Sequence, residues 1–353
     1  MKKYHLILSL DYELFGDGSG CIDKCLIEPT DRCRSIVESH NACLSLFVEA
    51  LEFSCFKHQP PCNLLDSYHL IEQQLASLSS SNHRLEMHLH PQWLEAQLEE
   101  SKWTLALEKW RVGNLSDVDQ QRSIATAYNY LNELECLDTP ALRAFRAGGW
   151  TIQPSGNLLQ RLGEFGVTID STAAPGMFNH AKGDWYDFRN CPDKPFWNVS
   201  DDVCTEDEQG HTVEVPITTG KLGKSAHVRA LLESRAFDSF PADCTGSYAG
   251  PNNRTQSLIG KFSKIRSIGN VMLDFSTLPA WAMIQLTESY MERFKDETDP
   301  VPIVAIGHNK NFSEQSENNL NEFLAWARSC NEMIFSDYRA WYESLRMQKQ
   351  HLA

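Results

Sequence analysis

Two histidines two positions apart, His88 and His90, close the run R-L-E-M-H-L-H-P-Q-W at residues 84–93. The run alternates with period two. Leu85, Met87 and Leu89 share one side, and Glu86, His88 and His90 the other. That is a strand pattern, and it places both imidazoles on one face roughly 6–7 Å apart. Pro91 has no N–H to give to a ladder, so the strand stops there. Two imidazoles at the end of a strand can offer nitrogen ligands to a divalent metal. They can equally be a solvated polar face, because a catalytic zinc takes about three protein ligands and this motif supplies two.

Other ionisable residues stand where further strands should end. Asp11-Tyr12-Glu13 follows the apolar run Tyr4–Leu10, and Arg146 lies in Ala144–Ala147 just before Gly148-Gly149-Trp150. Asp170 ends Val167–Asp170, and His308-Asn309-Lys310 follows Val301–Ile306. A metal-dependent hydrolase needs a few protein ligands, open positions for water and substrate, a base for the water proton and an acid for the leaving group. Asp11 and Glu13, two apart, can supply one base and one ligand. Arg146 can hold the base ionised through a bidentate pair, and His308 is the natural acid.

The elements that must position these residues alternate in type. Strands are predicted at 4–10, 42–48, 84–90, 144–147, 167–170, 212–217, 271–275, 301–306 and 332–335. Helices are predicted at 31–40 (Thr30 as cap), 64–78, 117–135 (Ser116 as cap), 154–165 (Gly166 as stop), 251–263, 279–294, 314–328 and 337–348. No Gly-rich phosphate loop follows the first strand. The pattern therefore predicts an α/β fold, a distorted (β/α) barrel of about seven to eight parallel strands, with chemistry at the strand C-terminal ends. The whole chain, 1–353, reads as one domain with elaborated loops at about 91–116 and 173–211.

The totals narrow the function classes. The 353 residues carry a net charge of −15 with 42% apolar residues. An acidic surface repels phosphate backbones, which argues against nucleic-acid partners. No apolar segment approaches the ~18 residues of a membrane span. The start M-K-K-Y-H-L-I-L-S-L-D lacks a cleavage site for export, so the eleven scattered cysteines are expected to be reduced thiols in the cytoplasm.

At these residues the chain resembles the NodB-type polysaccharide deacetylases, carbohydrate esterase family four. S-L-D-Y-E is similar to the first family motif, E-M-H-L-H-P-Q-W to the second, F-R-A-G-G-W to the third and V-A-I-G-H-N-K to the fifth. The wording is similar to a divergent branch associated with bacterial surface-polysaccharide loci. The resemblance implies Asp11 as base, Glu13 and His90 as metal ligands, Arg146 as the residue orienting the base, and His308 as acid. It also implies a divalent metal, zinc being the expectation, and removal of acetyl groups from N-acetylated sugars. Two departures stand out. The family keeps a histidine four residues after the one at His90, where this chain has Leu94, and His88 is proposed as the replacement. Glu13 also stands where the family more often has Asp.

Trp93, Trp150 and Asp170 are candidate substrate-binding residues. Rim or core packing is the alternative for the tryptophans, and Asp170 competes with Asp184 for the fourth motif. Lys310 reads as a surface lysine, Asp274 as a structural hydrogen-bonding group, and His5 as a core histidine. The expected function is a metal-dependent hydrolase that deacylates an amino sugar or glycan precursor. A catalytically inactive carbohydrate-binding barrel and a deacylase for another acyl group such as formyl are the alternatives.

Overall fold

The computed structural model describes residues 3–16, 19–59, 65–99, 102–135, 143–181, 184–235 and 270–352. Its centre is a nine-stranded sheet. The strands are β1 (Tyr4–Tyr12), β2 (Leu44–Glu49), β3 (Arg84–Leu89), β4 (Ala144–Ala147), β5 (Ile169–Asp170), β6 (Trp197–Val199), β7 (Thr212–Glu214), β8 (Val301–His308) and β9 (Met333–Ser336). Their order is β6-β7-β5-β4-β3-β2-β1-β8, with β9 pairing to the first half of β1. Every pairing is parallel except β6 with β7. Beyond β8 the wall continues irregularly. Phe275 N–H donates to Ile306 C=O, and Thr218 N–H to Val304 C=O. This is the distorted (β/α) barrel that the alternation predicted.

Sequence explains why these segments became strands. All nine residues of β1 and all six of β2 are buried. A strand covered on both faces reads as a continuous apolar run, as L-I-L-S-L does. The helices that cover the barrel include α1 (Glu28–Ser39), α2 (Ala50–His58), α3 (Leu65–Ser80), α4 (Asp117–Glu135), α5 (Gly156–Glu164), α6 (Lys224–Arg235), α7 (Ala280–Arg293), α8 (Glu314–Ser329) and α9 (Tyr338–Leu352). Ser116 Oγ accepts from Asp119 N–H at the start of α4, and Gly166 takes φ +76° just after α5, as a helix stop requires.

Several expectations need correction. Thr30 does not cap α1. The chain enters that helix from a wide helical turn at Ile22–Ile27, and Pro29 sits in the first turn, where its missing N–H costs nothing. α2 and α6 were not predicted. The 271–275 segment forms only the two-residue strand Val271–Met272, plus one bridge from Asp274 to Ile306. The helix predicted at 251–263 lies outside the described residues. Cys25 is disulfide-bonded, so the expectation of thiols throughout fails there, although Cys21, Cys33, Cys43, Cys55, Cys191, Cys204 and Cys330 are free. No described helix is long and apolar enough to cross a membrane.

Candidate active site

Strand register brings the candidate residues together. Asp11 on β1 stands opposite His308 on β8, and His88 on β3 stands opposite Arg146 on β4. All four sit at C-terminal strand ends, and Asp11, Glu13, His88, His90, Trp150 and His308 line one cavity of about 180 Å³. That is small beside the ~300–1,000 Å³ of pockets that enclose a drug-sized ligand, so it suits a small group or one end of a larger molecule.

The two histidines converge closely. Their ring centroids are 4.9 Å apart and their Nε2 atoms 3.2 Å apart. β3 ends at Leu89, and His90 turns with φ −112° and ψ 88° into the short helical turn Pro91–Trp93. His88 Nδ1 donates to Arg146 C=O at 2.9 Å, which leaves Nε2 with its lone pair toward the cavity. Gly148 makes room for His90. A Cβ there would lie 2.5 Å from His90 Cδ2 and 2.7 Å from Leu89 C=O, so the F-R-A-G-G-W motif needs glycine at that position.

Glu13 completes the group. Its Oε2 lies 2.8 Å from His90 Nε2 and 3.6 Å from His88 Nε2. Burial pushes the Glu13 carboxyl up, but Lys310, His90 and His88 together outweigh it and hold the group well below the usual carboxylate range. The ligand atoms of Glu13, His88 and His90 lie within 4.8 Å of one another, and all three residues are buried. One carboxylate and two imidazoles form a donor set that suits zinc with open positions. Gln92 adds a fitting detail. Its amide lies 3.2 Å from His90 Nδ1, and its buried Oε1 has no partner among the described residues. Turned half about, the amide would accept the Nδ1–H of a His90 whose Nε2 binds metal.

Asp11 sits beside this group and is 2% exposed. Arg146 Nη1 donates to its Oδ1 at 2.5 Å. The expected bidentate pair is not formed, because the other guanidinium nitrogens serve the surroundings. Nε donates to Ser171 C=O at 2.9 Å, and Nη2 reaches Ser9 Oγ at 3.0 Å and Tyr338 Oη at 3.3 Å. Phe47 lies under the guanidinium, 4.0 Å from its carbon. The second oxygen, Asp11 Oδ2, stands free of Arg146 and 3.4 Å from His308 Nε2.

The three candidate substrate residues part company. Trp150 lines the cavity, with its ring edge-on to His308 at 6.2 Å and to Tyr186 at 5.9 Å. Trp93 does not. It is fully buried and packs edge-on against Phe56 at 5.7 Å and Trp103 at 5.2 Å, so it is core. Asp170 is also fully buried away from the cavity. Its carboxylate accepts from Thr172 Oγ1 at 2.7 Å and Thr172 N–H at 3.3 Å.

No protein-family model matches this chain, and no curated protein matches it. Solved structures do match. A putative polysaccharide deacetylase from Mycobacterium smegmatis aligns at TM-score 0.55 and 15% identity, over 99% of this chain and 92% of that one. The chain has the polysaccharide-deacetylase fold. The same fold recurs in Puue allantoinase, at TM-score 0.51 and 9% identity over 98% of this chain and 91% of that one. It recurs too in a 4-alpha-glucanotransferase from Thermococcus litoralis, at 0.51 and 13% over 97% and 40%. A fold shared by such different enzymes leaves the reaction to be argued from the site.

Within that fold, Lys310, Trp110 and Tyr186 line the cavity with little or no sequence signal, and Asp184, the rival candidate for the fourth motif, lines it where Asp170 does not. Lys310 is not a surface lysine: it is 8% exposed and its ammonium contacts Glu13. Trp110, Asp184 and Tyr186 arrive from the two long loops. Burial raises the Asp184 carboxyl above its ordinary value. Asp274 makes the structural bonds expected of it, accepting from Ser276 N–H at 2.8 Å and Ser276 Oγ at 2.6 Å. His5 is a core histidine 3.2 Å from Ser336 Oγ.

Proposed function

We propose that the chain is a metal-dependent hydrolase that removes an acyl group, acetyl in the first instance, from an amino sugar or glycan precursor. One observation carries the reading. Asp11, held from behind by the buried Arg146, faces one small cavity together with the Glu13–His88–His90 donor group and His308. The likeness to the mycobacterial putative polysaccharide deacetylase, and the motif resemblance, support the substrate class.

The ion expected at Glu13, His88 and His90 is zinc, which when bound polarises an amide carbonyl and acidifies water. The chain's own residues do the rest. Asp11, with Oδ1 held by Arg146, accepts the proton of the attacking water at Oδ2. The water oxygen bonds to the acyl carbon. His308 Nε2, on the same side of the cavity, gives a proton to the departing nitrogen as the C–N bond breaks. The products are a carboxylic acid and a free amine. Trp150 stands beside His308 and Tyr186 beside Trp150; both rings line the cavity and can pack against the sugar ring.

A role in bacterial surface-polysaccharide metabolism fits the branch that the motifs resemble. The free cysteines fit a cytoplasmic setting, and the Cys25 disulfide is the exception. The test is a panel of N-acetylated and N-formylated amino sugars beside acylated amines that lack a sugar. Free amine is measured with metal-stripped and zinc-restored protein. Zinc-dependent amine release from sugars is the expected result. Release without metal, or from none of the sugars, contradicts the reading.

A further inference from the structure

The two oxygens of Glu13 keep different company. Oε2 faces the imidazoles, whereas Oε1 lies 2.8 Å from Lys310 Nζ. The same ammonium donates to Leu14 C=O at 3.0 Å, and the Lys310 and Glu13 side chains are only 4% and 6% exposed. Glu13 is also shared between two possible ligand groups, Glu13–His88–His90 and Asp11–Glu13–His308. The second would draw on Oε1, which lies 3.9 Å from His308 Nε2 and is the oxygen Lys310 holds. Asp11 Oδ1 is likewise taken, by Arg146.

We propose that Lys310 is a positioning residue that makes Glu13 bind the ion through Oε2 alone, on the His88–His90 side of the cavity. This deepens the metal-dependent reading above and rests on it. An ammonium on the far oxygen stops Glu13 from chelating with both. Coordination positions then stay open for water and a substrate carbonyl. The ammonium also offsets the carboxylate charge, so the ion retains more of its own charge to act on what enters those positions. The arrangement has a cost: ammonium and divalent ion repel each other across one carboxylate, so the ion binds more weakly than Glu13 alone would allow.

That cost makes the proposal testable without any substrate. Metal-stripped wild type, Lys310→Met, Lys310→Gln and Lys310→Arg are titrated with zinc against a chromophoric chelator, with thermal melts as folding controls. Cobalt(II) is then substituted and its coordination number read by X-ray absorption. Loss of the ammonium is expected to tighten zinc binding by about tenfold or more and to raise the coordination number as Glu13 chelates. Lys310→Arg, which keeps the charge, is expected to match wild type in both. A lysine that merely packs gives the opposite sign, weaker binding when it is removed. Unchanged or weaker zinc binding in folded Lys310→Met and Lys310→Gln overturns the proposal. Failure of wild type to bind zinc instead overturns the metal reading on which it rests.

Discussion

Removing Arg146 should expose how strongly the buried acid–guanidinium pair is coupled. In Arg146→Met the aliphatic stem is roughly kept, so the cavity left behind is small. What is lost is the countercharge of Asp11, a side chain 3% exposed whose Oδ1 lies 2.5 Å from Nη1. With charge centres about 4 Å apart and an effective dielectric of about 20, the lost attraction is about 4 kcal/mol. Breaking a buried pair by removing one partner costs about 3–5 kcal/mol, which agrees. The freed acceptors at Ser9 and Ser171 add to this. Asp11→Asn should cost a similar amount, because it strands a guanidinium that is wholly buried. The double variant Asp11→Asn/Arg146→Met strands neither charge. It should therefore be more stable than the sum of the singles implies, with a coupling of about 2–4 kcal/mol. Urea unfolding of the four metal-stripped proteins measures this. Additivity within about 0.5 kcal/mol would refute the claim that Arg146 is held in place chiefly as the partner of Asp11.

Other outcomes follow from single contacts. Gly148→Ala should drive His90 from its position, because the new Cβ would lie 2.5 Å from the ring; zinc content at fixed free zinc should drop while the circular-dichroism spectrum stays native. His88→Ala should likewise lose zinc in chelator competition, and normal zinc binding by it would show that His88 is no ligand. Trp150→Ala should raise KM for a sugar substrate, whereas Trp93→Ala should cost about 3–5 kcal/mol of stability and leave the KM of the folded fraction unchanged. The His5 imidazole is lowered to about 4 by burial. A histidine with a folded value below its unfolded one binds its proton more readily once the chain opens. Stability should therefore fall as pH drops from about 6.5 toward 4, by at most about 3 kcal/mol. In His5→Gln that component should vanish from the pH dependence of the urea midpoint.

Much of the fold and part of the site could be read from the chain. The apolar runs of β1, β2 and β8 are buried on both faces, so composition alone marked them. The alternation of β3 placed His88 and His90 on one face, and parallel strands ending in Asp11, Arg146 and His308 pointed to one rim. What escaped was set by contacts distant in sequence. Lys310 and Glu13 are separated by 297 positions, and nothing local to H-N-K announces a buried ammonium. α2 follows β2 with no Gly or Pro between them, and its cap is Glu49, whose carboxylate accepts from Leu51 N–H at 2.9 Å and Glu52 N–H at 3.1 Å. Glutamate is not among the usual capping residues, so the helix start was invisible. That missed helix also explains Trp93. Phe56 of α2 is one of the rings that bury it, and without α2 the indole looked free to meet a sugar. Trp110 and Tyr186 come from long loops, where no periodicity indicates direction, and for the same reason Asp184 could be named there only as a rival of Asp170.

The central claim is that Asp11 takes the water proton beside a Glu13–His88–His90 ion without holding that ion. Turnover of an N-acetylated amino sugar by Asp11→Asn, measured at zinc content matched to wild type, tests it most directly. One zinc per chain is expected in both proteins, with amine release lowered by about 10²-fold or more in the variant. Near-wild-type turnover in the zinc-loaded variant would contradict the role of Asp11 as base, and a variant that no longer binds zinc would make Asp11 a ligand.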